Sequence, residues 1–373
     1  MKILIRQFLG ANHSWGVIGR EMARALLKKQ HDVKLYSTDG IDHLPRDLMP
    51  YLIGYSDGNP SGKMYGNQPG PNYDACISYT CMKNFSRYLS HSKKNRFGIW
   101  SYEWAGVNAL PTGFAQQHVY CDTLLPPSES SMETFANSGV PKNKMQVLSH
   151  GINGAQFGQA TTISLPTKKK FKILSNIAQN HKRKNISGLL TAYGKAFTID
   201  DDVCLLLKAR PKRAVQTFDI DLNEYLNSFY KQFPKHAEVK LITNYIDDIS
   251  VLYRSIDAVF TMSHTECFYI PGLEGLASGK VNICPNYGGQ KDFLTTDNSL
   301  LIEGDEVEAE PTSMYWEQKR GTKWFMPNME SAIEQLRKAY SDFSLLNAEL
   351  EKQRMNICDH YDWSKIVDQI PFE

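Results

Sequence analysis

Two glutamates, Glu266 and Glu274, stand eight positions apart in the stretch TECFYIPGLEG, with an apolar, Pro- and Gly-containing run between them. Pro271 argues against one continuous helix, because proline lacks a backbone donor and clashes with the preceding turn. The spacing predicts Glu266 on a loop after a strand and Glu274 in the first turn of a helix starting near Pro271. Both carboxylates then face one cleft. A second cluster, Lys182-Arg183-Lys184 in AQNHKRKN, leads into an apolar-periodic helix, and cations beside a helix N-terminus favour phosphate. The other basic clusters, such as Lys93-Lys94, Lys168–Lys170 and Lys212-Arg213, read as solvated faces and loop edges. The pairs Asp219/Asp221 and Asp247/Asp248 invite a metal reading, but solvated carboxylates are the plainer one, and no metal site is expected.

These groups need a scaffold. The chain has 373 residues, enough for two domains, with an ordinary 42% hydrophobic and 22% charged composition. A net charge of +2 advertises neither nucleic acid nor membrane as a partner. Seven cysteines form no CxxC pair and no zinc-like spacing, which suits reduced thiols in a reducing compartment. The opening MKILIRQFLG is too short and interrupted for a signal peptide, and no run of about 18 apolar residues suggests a transmembrane segment, so a cytoplasmic location is expected.

The pattern along the chain is α/β. Lys2–Ile5 reads as a buried strand, a loop punctuated by Gly10, Gly16 and Gly19 follows, then the helix GREMARALLKKQ and the strand HDVKLYST. Residues 54–72 are rich in Gly, Pro, Asn and Ser and read as a long loop. Strands return at DACISYT, RFGIWSYEW and KMQVLSHGI, with a helix capped by Ser128 between the last two; Gly151 is expected to need a positive φ. After a polar stretch the pattern restarts with FKILSNI, and runs through VCLLLKA, EVKLIT, DAVFTMS and KVNICPN to a helical tail. Two successive α/β halves imply two Rossmann-like domains facing each other.

Several segments carry a family resemblance. LLPPSESSMETFANSGVPKNKMQVLSHGINGAQF, HKRKNISGLLTAYGKAF and YRSIDAVFTMSHTECFYIPGLEGLASGKVNICPNYGGQKDF resemble, in this order, the corresponding blocks of family 4 glycosyltransferases of the GT-B fold. The last block holds the E-x7-E pair and the Gly288-Gly289-x-x-Asp292 loop. The likeness is specific over roughly residues 120–293; the first hundred residues fit in outline. SNIAQN stands where the family often has an arginine, a place Arg183 could fill, and SWGVIG replaces a common Gly-Gly pair.

The resemblance implies a retaining transferase that moves a hexosyl group from a UDP- or GDP-sugar to a glycan, lipid-linked or small-molecule acceptor, with no cofactor beyond that co-substrate. It implies domains over residues 1–160 and 161–354, and a segment 355–373, anchored by Trp363, that crosses back to the first domain. Lys184 and Arg183 would stabilise the departing diphosphate, and Glu266 would approach the donor sugar. Glu274 would accept hydrogen bonds from the ribose hydroxyls. Phe268, Tyr269 and Ile270 would offer backbone N–H groups to the donor, and Gly16 would let backbone approach it. On the acceptor side stand Glu103, among the aromatics Trp100, Tyr102 and Trp104, and His150, which is equally a structural hydrogen-bond partner. Two other readings keep the fold: a glycosyltransferase acting on nucleic-acid bases, and a nucleotide-sugar-binding or epimerase protein without transfer.

Overall fold

The computed structural model describes residues 1–10, 13–57, 63–101, 108–178, 182–209, 222–309 and 322–373. They form two compact units: one holds the described residues of 1–102, Asn108–Asn153 and His360–Glu373, the other those of 154–359.

The first unit is built on a seven-stranded sheet of β1 (Lys2–Gln7), β2 (Asp32–Ser37), β3 (Leu52–Ser56), β4 (Met64–Gly66), β5 (Ala75–Tyr79), β6 (Arg96–Ile99) and β7 (Thr123–Leu124). Its order is β4-β3-β2-β1-β5-β6-β7, parallel throughout except that β4 runs antiparallel to β3. The winding reverses between β1 and β5. The second unit carries β8 (Phe171–Ala178), β9 (Val203–Ala209), β10 (Glu238–Ile242), β11 (Ala258–Phe260), β12 (Val281–Pro285) and β13 (Ser299–Ile302). Its order, β10-β9-β8-β11-β12-β13, is all parallel and reverses between β8 and β11. The strands are nearly continuous apolar runs: β5 and β12 are buried at every position. Helix-covered parallel sheets demand that pattern. A separate antiparallel ribbon pairs β14 (Gly304–Glu308) with β15 (Lys323–Pro327).

The structure departs from the sequence reading in several places. The first helix spans Ser14–Lys28, capped by His13, so Gly16 lies inside its first turn instead of on the preceding loop. Within the predicted long loop, β4 adds a short edge strand. KMQVLSHGI forms no continuous strand; it makes single bridges at Met145 and Ile152, with backbone hydrogen bonds from Gln146 to Leu124 and from Leu148 to Pro126. Gly151 does not take a positive φ. It is needed for another reason: a Cβ there would sit 2.7 Å from the Trp363 ring and 3.0 Å from the Tyr361 carbonyl. Trp363 is 5% exposed and its N–H donates to the Ile152 carbonyl. The chain end stays in this unit: Lys29 pairs with Asp368, Phe372 packs edge-on against Phe97, and Asn95 bonds Glu373.

Candidate functional site

In open α/β sheets, the crevice outside the carboxyl ends of the strands where the winding reverses is the natural ligand site. In the second unit that place lies beyond β8 and β11. The chain leaving β8 reaches a short helical turn, Lys182–Lys184, and then the helix Ile186–Ala196. The chain leaving β11 runs through residues 261–269, every one of them buried, before the helix Ile270–Ala277 begins. The two segments meet. Arg183 Nη1 donates to Glu266 Oε2 at 3.0 Å and to the Thr265 carbonyl at 3.0 Å, while Lys184 Nζ donates to Glu266 Oε1 at 2.5 Å.

A buried segment without regular structure must still satisfy its backbone. The His264 N–H donates to the Arg183 carbonyl at 2.7 Å, and the His264 carbonyl accepts from the Phe325 N–H at 2.9 Å. The Glu266 carbonyl accepts from the Gly289 N–H at 2.9 Å. Two glycines make that last contact sterically feasible. A Cβ on Gly288, whose φ is 78°, would lie 2.7 Å from the Glu266 carbonyl oxygen, and one on Gly289 would lie 1.9 Å from that of Cys267. On the opposite side the ribbon holds His264: its Nδ1 lies 2.8 Å from the Phe325 carbonyl and its ring stacks on Trp324 at 5.0 Å and 7°. Tyr287 stacks on Phe325 at 5.0 Å. Glu266 is thus carried on a loop fixed from three directions.

The two glutamates experience opposite fields. Burial alone would raise the Glu266 carboxyl, but the Lys184 ammonium and then the Arg183 guanidinium outweigh it and hold the group at about 2. Glu274 is pushed up to about 7 by burial, opposed only by a hydrogen bond from the Tyr253 phenol. Tyr253 is wholly buried, stays protonated because burial raises it well above 10, and accepts from Asn176 Nδ2 at 3.4 Å. Asn176 is near the carboxyl end of β8, so both glutamates belong to the same crevice.

Glu274 sits in the second turn of the helix, not the first. The helix begins at Ile270 with Pro271 in its opening turn and has no acidic residue there. Consequently Glu274 gains little from the helix dipole, whose field fades after one turn. The capping residue is Tyr269, in the left-handed region at φ 71°, ψ 64°, and no side chain caps the helix. For a non-glycine residue this conformation costs about 1–2 kcal/mol. Pro271 carries no N–H and the Gly272 N–H donates to the Tyr269 carbonyl at 3.0 Å, so the helix start stands without a side-chain cap four residues after Glu266, a position whose dipole suits an anion. Phe268 and Tyr269 are buried as side chains, 1% and 4% exposed, so only their backbone can serve a ligand.

The first unit has its own crevice beyond β1 and β5. Phe8, Trp15, Tyr79 and His150 form a stack: Phe8–Trp15 at 5.6 Å, Trp15–Tyr79 at 5.0 Å and Tyr79–His150 at 5.5 Å. The amide of Gln7, fully buried, donates to the Trp15 carbonyl and accepts from the Tyr79 N–H, locking the stack to β1. His150, 4% exposed, is held neutral by burial, which lowers it to about 3, and is reached through Tyr79 Oη at 3.4 Å. Trp100 is core, 2% exposed and stacked with Phe114 and Phe135. Glu103, with Tyr102 and Trp104, lies outside the described residues, as do Asp219 and Asp221. Asp248 caps the helix Ile249–Arg254 and accepts from Gln156, which accounts for its carboxylate. Among the described residues no group of three or more His, Cys, Asp or Glu is placed to hold a metal ion, and no helix is long and apolar enough to cross a membrane.

Sequence reasoning brought Glu266, Arg183, Lys184 and Glu274 to this crevice and missed Tyr253, Asn176, His264 and Trp324. Two Rossmann-like parallel sheets of this kind define the GT-B architecture of glycosyltransferases. Solved structures of that class align along nearly the whole chain. Anabaena HepE, in complex with UDP-glucose, aligns at a TM-score of 0.67 and 14% identity over 99% of this chain and 98% of that one. The sucrose-phosphate synthase of Thermosynechococcus elongatus gives 0.68 at 13% identity over 99% and 97%. WaaG, a glycosyltransferase involved in lipopolysaccharide biosynthesis, gives 0.61 at 12% over 99% and 98%. In sequence, the uncharacterized glycosyltransferase MJ1607 of Methanocaldococcus jannaschii is 21% identical over 252 residues, 65% of this chain and 61% of that protein. The chain thus matches about three-fifths of that relative's length. No family model matches the chain.

Proposed function

We propose that the protein is a retaining glycosyltransferase of the family 4 type, moving a hexosyl group from a UDP- or GDP-sugar to a hydroxyl acceptor. The observation that carries this reading is the convergence of Arg183, Lys184, Glu266 and an uncapped helix start at the reversal point of the second sheet. That set suits a diphosphate whose ester bond to a sugar is breaking. As the anomeric C–O bond breaks, its electron pair leaves with the diphosphate oxygen, where Arg183, Lys184 and the backbone N–H groups near Ile270 meet the growing charge. The acceptor oxygen forms the new bond on the same face of the sugar and passes its proton to the departing phosphate oxygen. Glu266 stands where it can orient the sugar hydroxyls, and Glu274 binds the ribose. These fixed cations do the work that a bound metal does elsewhere, so the reaction needs no resident cofactor. The acceptor belongs to the first unit, near the start of the helix Ser14–Lys28.

HepE is known in complex with UDP and with UDP-glucose, and sucrose-phosphate synthase and WaaG share the architecture, which makes UDP-glucose the first donor to try. The test is a panel of nucleotide sugars screened by thermal shift, followed by transfer assays with the donors that stabilise the protein. Failure of every UDP- and GDP-sugar to bind would end this reading.

A further inference from the structure

The two cations of the site already have an anion. Arg183 and Lys184 both bond to Glu266, and all three side chains are deeply buried, with 8%, 11% and 7% of their surface exposed. The three side chains sum to +1, against at least −2 for an entering diphosphate. On the donor reading above, a diphosphate that binds these cations competes with Glu266 for them. A buried carboxylate whose two cations turn to another anion keeps the hydrogen bond from the Ser263 side chain but is penalised unless new donors reach it. Sugar hydroxyls are such donors; a bare nucleoside diphosphate has none, and its terminal phosphate adds a further negative charge facing Glu266.

We propose that Glu266 is a specificity-determining residue that makes this site prefer a sugar-bearing nucleotide over the spent nucleoside diphosphate. With a sugar present, Glu266 exchanges its ion pairs for hydroxyl hydrogen bonds. Once the sugar has been transferred, Glu266 reclaims Arg183 and Lys184 and weakens the hold on the product. The loop geometry keeps the carboxylate from swinging away: its backbone is pinned by Gly289 on one side and, through His264, by Phe325 on the other.

The experiment is calorimetry with UDP, GDP and their glucose conjugates on the wild type, Glu266→Gln and Glu266→Asp, at low and high salt. The wild type is expected to bind the preferred sugar nucleotide more tightly than the matching diphosphate. Glu266→Gln removes the competing charge while keeping the size, and should bind the diphosphate tenfold or more tightly than the wild type, with a steeper salt dependence. Its affinity for the sugar nucleotide should rise less, so the order of preference narrows or inverts. Should the glutamine variant not fold, Glu266→Asp, charged but shorter in reach, carries the test with an expected gain of a few fold. Diphosphate affinity that is unchanged or weaker in the folded variants overturns the proposal and leaves the donor reading standing. Absence of all nucleotide binding by the wild type overturns both.

Discussion

The two ends of TECFYIPGLEG solve the problem of a buried carboxylate in opposite ways. At Glu266 the protein surrounds the charge with two cations and holds it ionised at about 2. At Glu274, eight residues on, it offers one phenol and lets burial lift the group to about 7. The first arrangement pairs the charge within the protein. At Glu274 burial outweighs the single hydrogen bond from Tyr253, and on the proposed function its oxygens serve the ribose. An ion-paired and a nearly lone carboxylate thus stand within one loop and helix.

The largest expected effect falls on the cation side. Lys184→Ala should lower kcat/KM by roughly 100- to 1,000-fold, the usual loss when one fixed group facing a developing charge is removed. Transfer kinetics on the donor found by screening measure it, and the wild type should keep its activity in EDTA. Activity that vanishes in EDTA and returns with Mg²⁺ would show that the cations are not sufficient. At the other end, Glu274→Gln should weaken donor binding by about 30- to 1,000-fold, with kcat less affected, because ribose contacts are alike in ground and transition states. Donor affinity in the wild type should also fall as pH drops below about 7, where Glu274 takes up a proton.

The same contrast predicts opposite pH dependences of stability. The folded state holds a proton on Glu274 up to about 7, whereas the unfolded chain releases it near 4.5. Between those values the folded state binds more protons, so this group's contribution to stability falls as pH rises. Glutamine cannot ionise. Glu274→Gln should therefore be more stable than the wild type by about 2–3 kcal/mol near pH 8 and equal to it near pH 4.5, by urea midpoints. Glu266 has the reverse sign: its stabilisation is full above about 4.5 and lost as pH falls toward 2. A Glu274→Gln variant whose advantage over the wild type is no larger at pH 8 than at pH 4.5 would mean that the wild-type carboxylate has a partner beyond the Tyr253 phenol.

What the sequence could and could not disclose follows from distance along the chain. The E-x7-E spacing, Pro271 and the cations at 182–184 are local signals, and each names its element without knowledge of the fold. The partners of Glu274 are not local: Tyr253 lies on another helix and Asn176 on β8, and only the strand order brings them together. The ribbon is harder still, since β14 and β15 are short and separated by residues 309–322, so no hairpin turn signal joins them. Gly151 shows a different failure. A glycine is legible as a demand for backbone freedom or for space, but the sequence does not say which, and here Trp363 from the chain's end claims the space. Gly16, read as a loop residue, fell inside a helix because His13 caps it further upstream than the apolar pattern suggested.

The smallest expected effect tests whether the ribbon matters to the pinned end alone. His264 bonds Phe325 and stacks on Trp324, and it stands two residues before Glu266. Replacing Trp324 with Leu removes the flat partner of the imidazole while leaving an apolar side chain, a loss of about 0.5–1.5 kcal/mol for an aromatic pair. Loop positions relax by fractions of an ångström under such a change, and on the proposed function the group that meets the transition state is Glu266, not Glu274. The expected result is a kcat lowered about three- to tenfold, a near-normal donor KM, and an unchanged stability difference between pH 4.5 and 8, since Glu274 and Tyr253 are untouched. His264→Asn, which keeps a donor for the Phe325 carbonyl, should retain more activity than His264→Ala. If Trp324→Leu instead weakens nucleotide binding as much as Glu274→Gln does, the ribbon supports the whole crevice and the separation of the two ends fails.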